Sequence, residues 1–204
     1  MMTQKELREK YGDERVLVIP ASAMTCMPNK GPYFREDEVE FCAKKDGLAM
    51  YRWQAEGDPG YKQLVVYAVI GDGKGHVYCT HRKAGDSRLT GKYSIGTGGH
   101  VQPDETATEA LFRELHEEVG ISPDDITVLT KNGFIYDDSS WVNSVHLGLV
   151  YAVVVDDPSI VKVVETEKLD GEWVDSNGLT KLSDSGSLEA WSEYIWKDFV
   201  TKEG

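Results

Sequence analysis

Residues 106–120 carry a complete set of helix instructions, and no other stretch constrains the fold so tightly. Thr106 with Glu109 three residues later makes a capping box, in which each side chain satisfies the other's free backbone N–H. Gly120 stands where a left-handed residue closes a last turn. At about 100° per residue, Leu111, Phe112, Leu115 and Val119 share one face, which needs a core to cover it. Glu114, Glu117 and Glu118 gather beside that face, within about 100° of one another. Like charges so spaced cost a few tenths of a kcal/mol per pair in water, and more when desolvated. A hard divalent cation reverses that sign, because oxygen atoms are its preferred ligands. For three glutamates alone, a solvated acidic helix face is the plainer reading.

Strand patterns flank this helix. Residues 64–70, LVVYAVI, form an unbroken apolar run, which predicts a strand covered on both faces. Gly71-Asp72-Gly73 supplies a turn, and residues 76–81 alternate as a returning hairpin strand. A polar loop follows over 83–92, then a short strand over 93–95. Further strands are expected at 126–136 and 144–155, with a shorter one at 172–174. Leu188, Trp191, Ile195 and Phe199 recur at helical spacing, with Ser187 as the cap of a C-terminal helix. Near the start, Thr3 and Glu6 open a short helix ending at Gly12, and residues 16–19 read as a strand stopped by Pro20. Residues 21–60 show little periodicity, and the charged run 35–40 fits a helix or a solvated turn. Strands interleaved with two strong helices indicate an α/β or α+β sandwich.

Charge narrows the partners. Among 204 residues, 35 acidic side chains against 22 basic ones leave a net charge of −13. Duplex nucleic acid as a bulk partner would call for a basic stripe, and none is visible. Any anionic substrate then needs local basic side chains or bound cations. Cys26, Cys42 and Cys79 are odd in number and far apart, which argues against a disulfide scaffold and fits the cytoplasm. They read as buried small hydrophobes. No apolar run approaches membrane-spanning length, so no membrane partner is expected. The start, MMTQKELREK, lacks the apolar core of a signal peptide.

The neighbourhood of the three glutamates makes them specific. Gly99, Glu105, Arg113-Glu114-Leu115, Glu117-Glu118 and Gly120-Ile121 are separated by five, seven, one and one residues. This resembles the Nudix box at every defined position, a coincidence on the order of one in ten million at average residue frequencies. With the order and spacing of the elements, the resemblance covers residues 62–200 and leaves the first 60 outside.

The resemblance implies an α/β (α+β) Nudix fold, a mixed sheet sandwiched between helices. The domain would span 61–204, with residues 1–60 an N-terminal extension packing on the core. Glu114, Glu117 and Glu118, with the backbone carbonyl of Gly98, would bind Mg²⁺ or Mn²⁺. Glu105 and Arg113 would pair to brace loop against helix, which suits the planar guanidinium fork. Family members often add an acid from a later loop, here within 165–172. In the family's bacterial oxidised-nucleotide hydrolases a metal-site glutamate lies six residues before the tryptophan of a Glu-Trp pair. Counting back from Trp173 selects Glu167 as ligand or base, with Glu165 as substitute; Glu117 is a further catalytic candidate. Arg82, at a strand end, would contact phosphates. Tyr93 and Tyr136 are candidate substrate contacts, although aromatic residues in strands usually pack. The five histidines show no pair at metal spacing on one face, and His100 and His116 read as satisfied or exposed.

The activity so implied is Mg²⁺-dependent cleavage of a phosphoanhydride, typically in a nucleoside diphosphate linked to another group. Three rivals exist on this fold. A non-catalytic nucleotide sensor would carry an eroded box. An isopentenyl-diphosphate-isomerase-like enzyme needs a catalytic cysteine and a histidine-rich metal site, neither evident in the sequence. RNA decapping would favour a basic patch. The expected partner is a small phosphorylated molecule; for residues 1–60, covering the pocket and forming a homodimer are both open.

Overall fold

The computed structural model describes residues 2–26, 32–34, 47–83 and 89–203. The charged run 35–40, Cys42 and residues 84–88 of the polar loop lie outside them. Helix α1 (Gln4–Tyr11) opens the chain, capped by the Thr3–Glu6 box and closed at Gly12, whose φ is 54°. Strand β1 (Arg15–Pro20) follows, then a 3₁₀ turn, β2 (Tyr33–Phe34), β3 (Leu48–Tyr51) and the one-turn helix α2 (Arg52–Ala55). A hairpin pairs β4 (Tyr61–Gly71) with β5 (His76–Arg82), and two short strands succeed it, β6 (Tyr93–Ser94) and β7 (Gly96–Thr97). Helix α3 (Ala107–Val119) is the acidic helix. After it come β8 (Ile126–Ile135), the one-turn helix α4 (Trp141–Ser144), β9 (His146–Val155), β10 (Leu169–Asp175), α5 (Ser176–Asp184) and α6 (Ala190–Glu203).

These strands form a mixed sheet with flanking helices. Its central order is β10-β5-β4-β9-β8-β2. The partners of β1, β5 and β7 along β4 are antiparallel. Strand β9 is parallel to it: the Gln63 N–H donates to the Val145 carbonyl, and Gly71 faces the carbonyl of Val153. The offset between the paired residues is the same at both ends, as parallel strands require. A parallel strand needs both faces covered, and consecutive residues of β4, from Lys62 to Leu64 and from Val66 to Ala68, are buried.

The chain divides into two compact units. The first comprises residues 1–66, 99–110 and 132–149, and its core includes Val16, Val18 and Ala55, with Met50 and Tyr61 packed against them. The second comprises 67–98, 111–131 and 150–204. There α3 buries Leu111, Leu115 and Val119, while Phe112 is only half-buried. Full burial of such an aliphatic side chain contributes roughly 2 kcal/mol. Cys79 is also buried here, which pushes its thiol up to about 12.

Three sequence expectations need correction. Glu189, not Ser187, caps the C-terminal helix, its carboxylate accepting the N–H groups of Trp191 and Ser192 at 2.8 Å each. On that helix Phe199 is 41% exposed and Trp196 takes the buried position. Strand β10 runs the full length of β5, from Leu169 opposite Arg82 to Asp175 opposite His76. It was hard to see because most of its residues are exposed or half-buried, so its apolar signal is weak. Helix α5 was unanticipated: it contains Gly178 and two serines, and Leu179 is its buried residue. Among the described residues no helix is long and apolar enough to cross a membrane.

Candidate active site

The carboxylates of α3 occupy unequal environments within the second unit. Glu118 is mostly buried. One of its oxygens, Oε2, accepts the Thr97 hydroxyl and the Gly98 N–H, the latter at 3.3 Å. Gly98 has a φ of 151°, a conformation essentially confined to glycine, and so the chain passes the carboxylate without a side chain. Burial pushes the Glu118 carboxyl above its ordinary value, against the pull of those two hydrogen bonds and the Arg82 charge. The charge of Glu165 pushes it further in the same direction. Glu114 is raised likewise, first by burial and then, opposing Arg113, by Glu118 and Glu117. Arg113 Nη1 bonds Glu114 at 2.7 Å and exposed Glu117 at 3.3 Å.

Two backbone bonds dock the later loop on the end of α3. The N–H groups of Val164 and Lys162 donate to the Glu118 and Val119 carbonyls, at 2.9 and 3.2 Å. These carbonyls have no partner within a helix, so the loop satisfies them. Glu165 follows directly, which explains why its field reaches Glu118. Glu167 lies two residues on, exposed in the turn 166–168. That turn is held in place by Lys83, whose Nζ donates to the Thr166 carbonyl and to Asp170 at 2.7 and 2.8 Å.

Of the other candidates, Arg82 ends β5 in the same unit, and the Tyr93 ring stacks on His81 with centroids 4.5 Å apart. Glu105 and Tyr136 belong to the first unit. Glu105 accepts the Gln102 N–H at 2.7 Å. The Tyr136 ring lies 5.2 Å from the Lys62 ammonium, and burial, then Asp138, raises its hydroxyl pKa. His116 is exposed.

The first unit also holds a group that sequence reading missed. His100, His146 and Glu56 bring one potential ligand atom each within 4.8 Å of the others. His146 lies in β9, which pairs with β4, while Glu56 ends a one-turn helix. No local spacing rule could have joined residues 44 and 46 positions apart.

The residues of α3 fit a hard divalent cation. Two largely desolvated carboxylates, whose charged forms burial disfavours despite Arg113 and Arg82 nearby, are an oxygen donor set that a hard cation would stabilise. Comparison with known proteins gives the family. The NUDIX domain model matches residues 61–192, well over half the sequence, and the chain belongs to the Nudix family. It is 33% identical to Protein YmaB of Bacillus subtilis (strain 168), covering 90% of this chain and 96% of that one. The crystal structure of Tm1382, a Nudix hydrolase candidate, superposes with a TM-score of 0.77 at 27% identity, covering 92% and 99% of the two chains. A shorter match, 30% over 77 residues, joins 38% of this chain to 58% of the 8-oxo-dGTP diphosphatase of Escherichia coli (strain K12). The tenth of this chain outside the YmaB match is about 20 residues, so most of residues 1–60 are shared with that relative.

Proposed function

We propose that this Nudix hydrolase cleaves a phosphoanhydride bond in a nucleoside diphosphate linked to another group, with Glu114, Glu117, Glu118 and the Gly98 carbonyl holding Mg²⁺ or Mn²⁺. The observation that carries this reading is the pair of desolvated, mutually repelling carboxylates on α3, with Arg82 and Glu165 in the field of one of them. A divalent cation bound there would neutralise the pyrophosphate and acidify an attacking water. The chain's own groups have distinct tasks. Thr97 and Gly98 orient Glu118 through one oxygen. Arg113 orients Glu114 and Glu117 through its Nη1. Arg82 receives a phosphate oxygen. A late-loop glutamate takes the proton of the attacking water. We favour Glu165 for that step, because its charge acts on Glu118, and keep Glu167 as the comparison. Tyr93 and Tyr136 are then candidate substrate contacts.

The E. coli relative's name specifies an oxidised nucleotide, which supports a nucleotide anhydride as the substrate class. The net charge of −13 favours a small phosphorylated molecule over bulk nucleic acid, and the cysteine pattern favours the cytoplasm. The test is phosphate and pyrophosphate release, with Mg²⁺ or Mn²⁺, over nucleoside triphosphates, nucleoside diphosphates joined to sugars or nucleosides, and an isoprenyl diphosphate. Cleavage of a nucleoside diphosphate derivative that stops in EDTA is the expected outcome. Isomerisation of the isoprenyl compound, with every anhydride left intact, would transfer the chain to the rival enzyme class.

A further inference from the structure

We infer that Glu56, His100 and His146 form a second metal site, which takes a Zn²⁺-type transition ion and is separate from the carboxylates of α3. The two imidazole Nε2 atoms lie 3.2 Å apart, and Glu56 Oε1 lies 3.9 Å from Nε2 of His146. Zinc–nitrogen bonds of about 2.0–2.1 Å at a tetrahedral angle put two ligand nitrogens about 3.3–3.4 Å apart. The histidines therefore already stand at the separation such an ion imposes, and the carboxylate must close on His146 by about half an ångström.

The tautomer is arranged as well. Nδ1 of His146 lies 2.6 Å from the Val142 carbonyl, an acceptor only, so Nδ1 carries the proton and donates. The lone pair of His146 is consequently on Nε2, the atom turned toward His100 and Glu56. A backbone carbonyl behind a ligating imidazole is a recurrent support of metal sites. The rings are held by the first unit's frame. Val66 N–H donates to the Gly99 carbonyl and Val101 N–H to that of Leu64, fixing the backbone on both sides of His100. Gln63 N–H donates to the Val145 carbonyl beside His146. The Trp141 indole donates to the Glu56 carbonyl at 3.1 Å.

Among the described residues Arg52 opposes a cation, its Nε 3.6 Å from Glu56 Oε1. The same guanidinium bonds Glu14 at 2.8 Å, so its charge is shared with a second carboxylate. Two nitrogens and one oxygen suit zinc or cobalt better than magnesium, which favours six oxygens. Three protein ligands leave a fourth position for water. The ion would tie together the end of α2, the segment after β7 and the start of β9.

Cobalt tests this directly, because a tetrahedral Co²⁺ centre absorbs visible light. Metal-free protein is titrated with Co²⁺ in excess Mg²⁺, which occupies oxygen sites. The wild type is expected to develop the absorption and saturate at one equivalent. Zn²⁺ should bleach it. His146→Ala and His100→Gln, each checked for folding by circular dichroism, should bind Co²⁺ more than about 100-fold more weakly, since they lose a ligand and not merely its support. Glu118→Gln should leave the spectrum unchanged, which separates this site from the proposed catalytic one. A featureless wild-type titration overturns the inference. So does absorption that survives in a folded histidine variant or vanishes in Glu118→Gln.

Discussion

The two clusters, one on α3 and one around His146, differ in what desolvation does to them. The α3 carboxylates have no neutral form that leaves two good acceptors, so burial and mutual repulsion both work against their charge. Imidazole, by contrast, keeps a lone pair while neutral, and the two rings satisfy one another at 3.2 Å without any ion. On the proposed readings, the first cluster would select hard cations by charge. The second would select ions able to replace a hydrogen bond with two nitrogen–metal bonds. Donor type alone would then keep the two metal chemistries apart.

The strongest way to break this contrast is Glu118→Gln. It should lower kcat by about 100-fold or more, because it removes charge that acts on the transition state. Its melting temperature in EDTA should not fall, since a neutral amide can accept from Thr97 and Gly98 without the desolvation cost. A variant retaining more than a tenth of wild-type turnover would remove Glu118 from the metal site.

The second measurement exchanges metals between the clusters. Zn²⁺ at about 100 times its dissociation constant should raise unfolding free energy by about 2.7 kcal/mol. That gain should disappear in His146→Ala and persist in Glu118→Gln. The Mg²⁺-dependent gain should show the opposite pattern. If both gains vanish together in either variant, the two clusters are not independent.

Late-loop variants sharpen the description of the acidic cluster. Glu165→Gln should lower kcat by roughly 100-fold with little change in KM, as loss of a general base does. Glu167→Gln provides the matched control. A dead Glu167→Gln beside an active Glu165→Gln would reverse the assignment. Arg113→Ala should also reduce activity, more than Arg113→Lys, because it frees Glu114 and Glu117.

The smallest effect concerns the frame of the helix itself. Thr106 accepts the Glu109 N–H at 3.2 Å, and Glu109 accepts the Thr106 N–H at 2.7 Å. Thr106→Ala should cost about 1 kcal/mol in chemical denaturation and leave Co²⁺ binding unaltered. A much larger loss would mean that the cap also holds something beyond the first turn.

How much could be read in advance follows the same division. Helix α3 was legible from cap to cap because its signals are local: Thr106, Glu109 and Gly120, whose φ is 73°, act within a few residues. The glutamates were legible for the same reason, lying within one turn and a half of one helix. β4 was visible as an apolar run because both its faces are covered. β10 was underestimated because an exposed strand lacks that run. Ser187 has the residue type of a cap, but the fold starts the helix at Ala190 with Glu189 before it.

By itself, then, the sequence determined the Nudix box, its helix and three carboxylates beside a buried stripe, since each depends on contacts a few residues apart. Tertiary structure decided the rest. It set which carboxylates are desolvated, brought Glu165 within the field of Glu118 through bonds to the helix end, and gathered His100, His146 and Glu56. Those outcomes depend on strand pairing between distant segments. A 3.2 Å meeting of side chains 46 residues apart leaves no periodic trace in the chain, because hydrogen-bonded strand neighbours are chosen by the whole sheet.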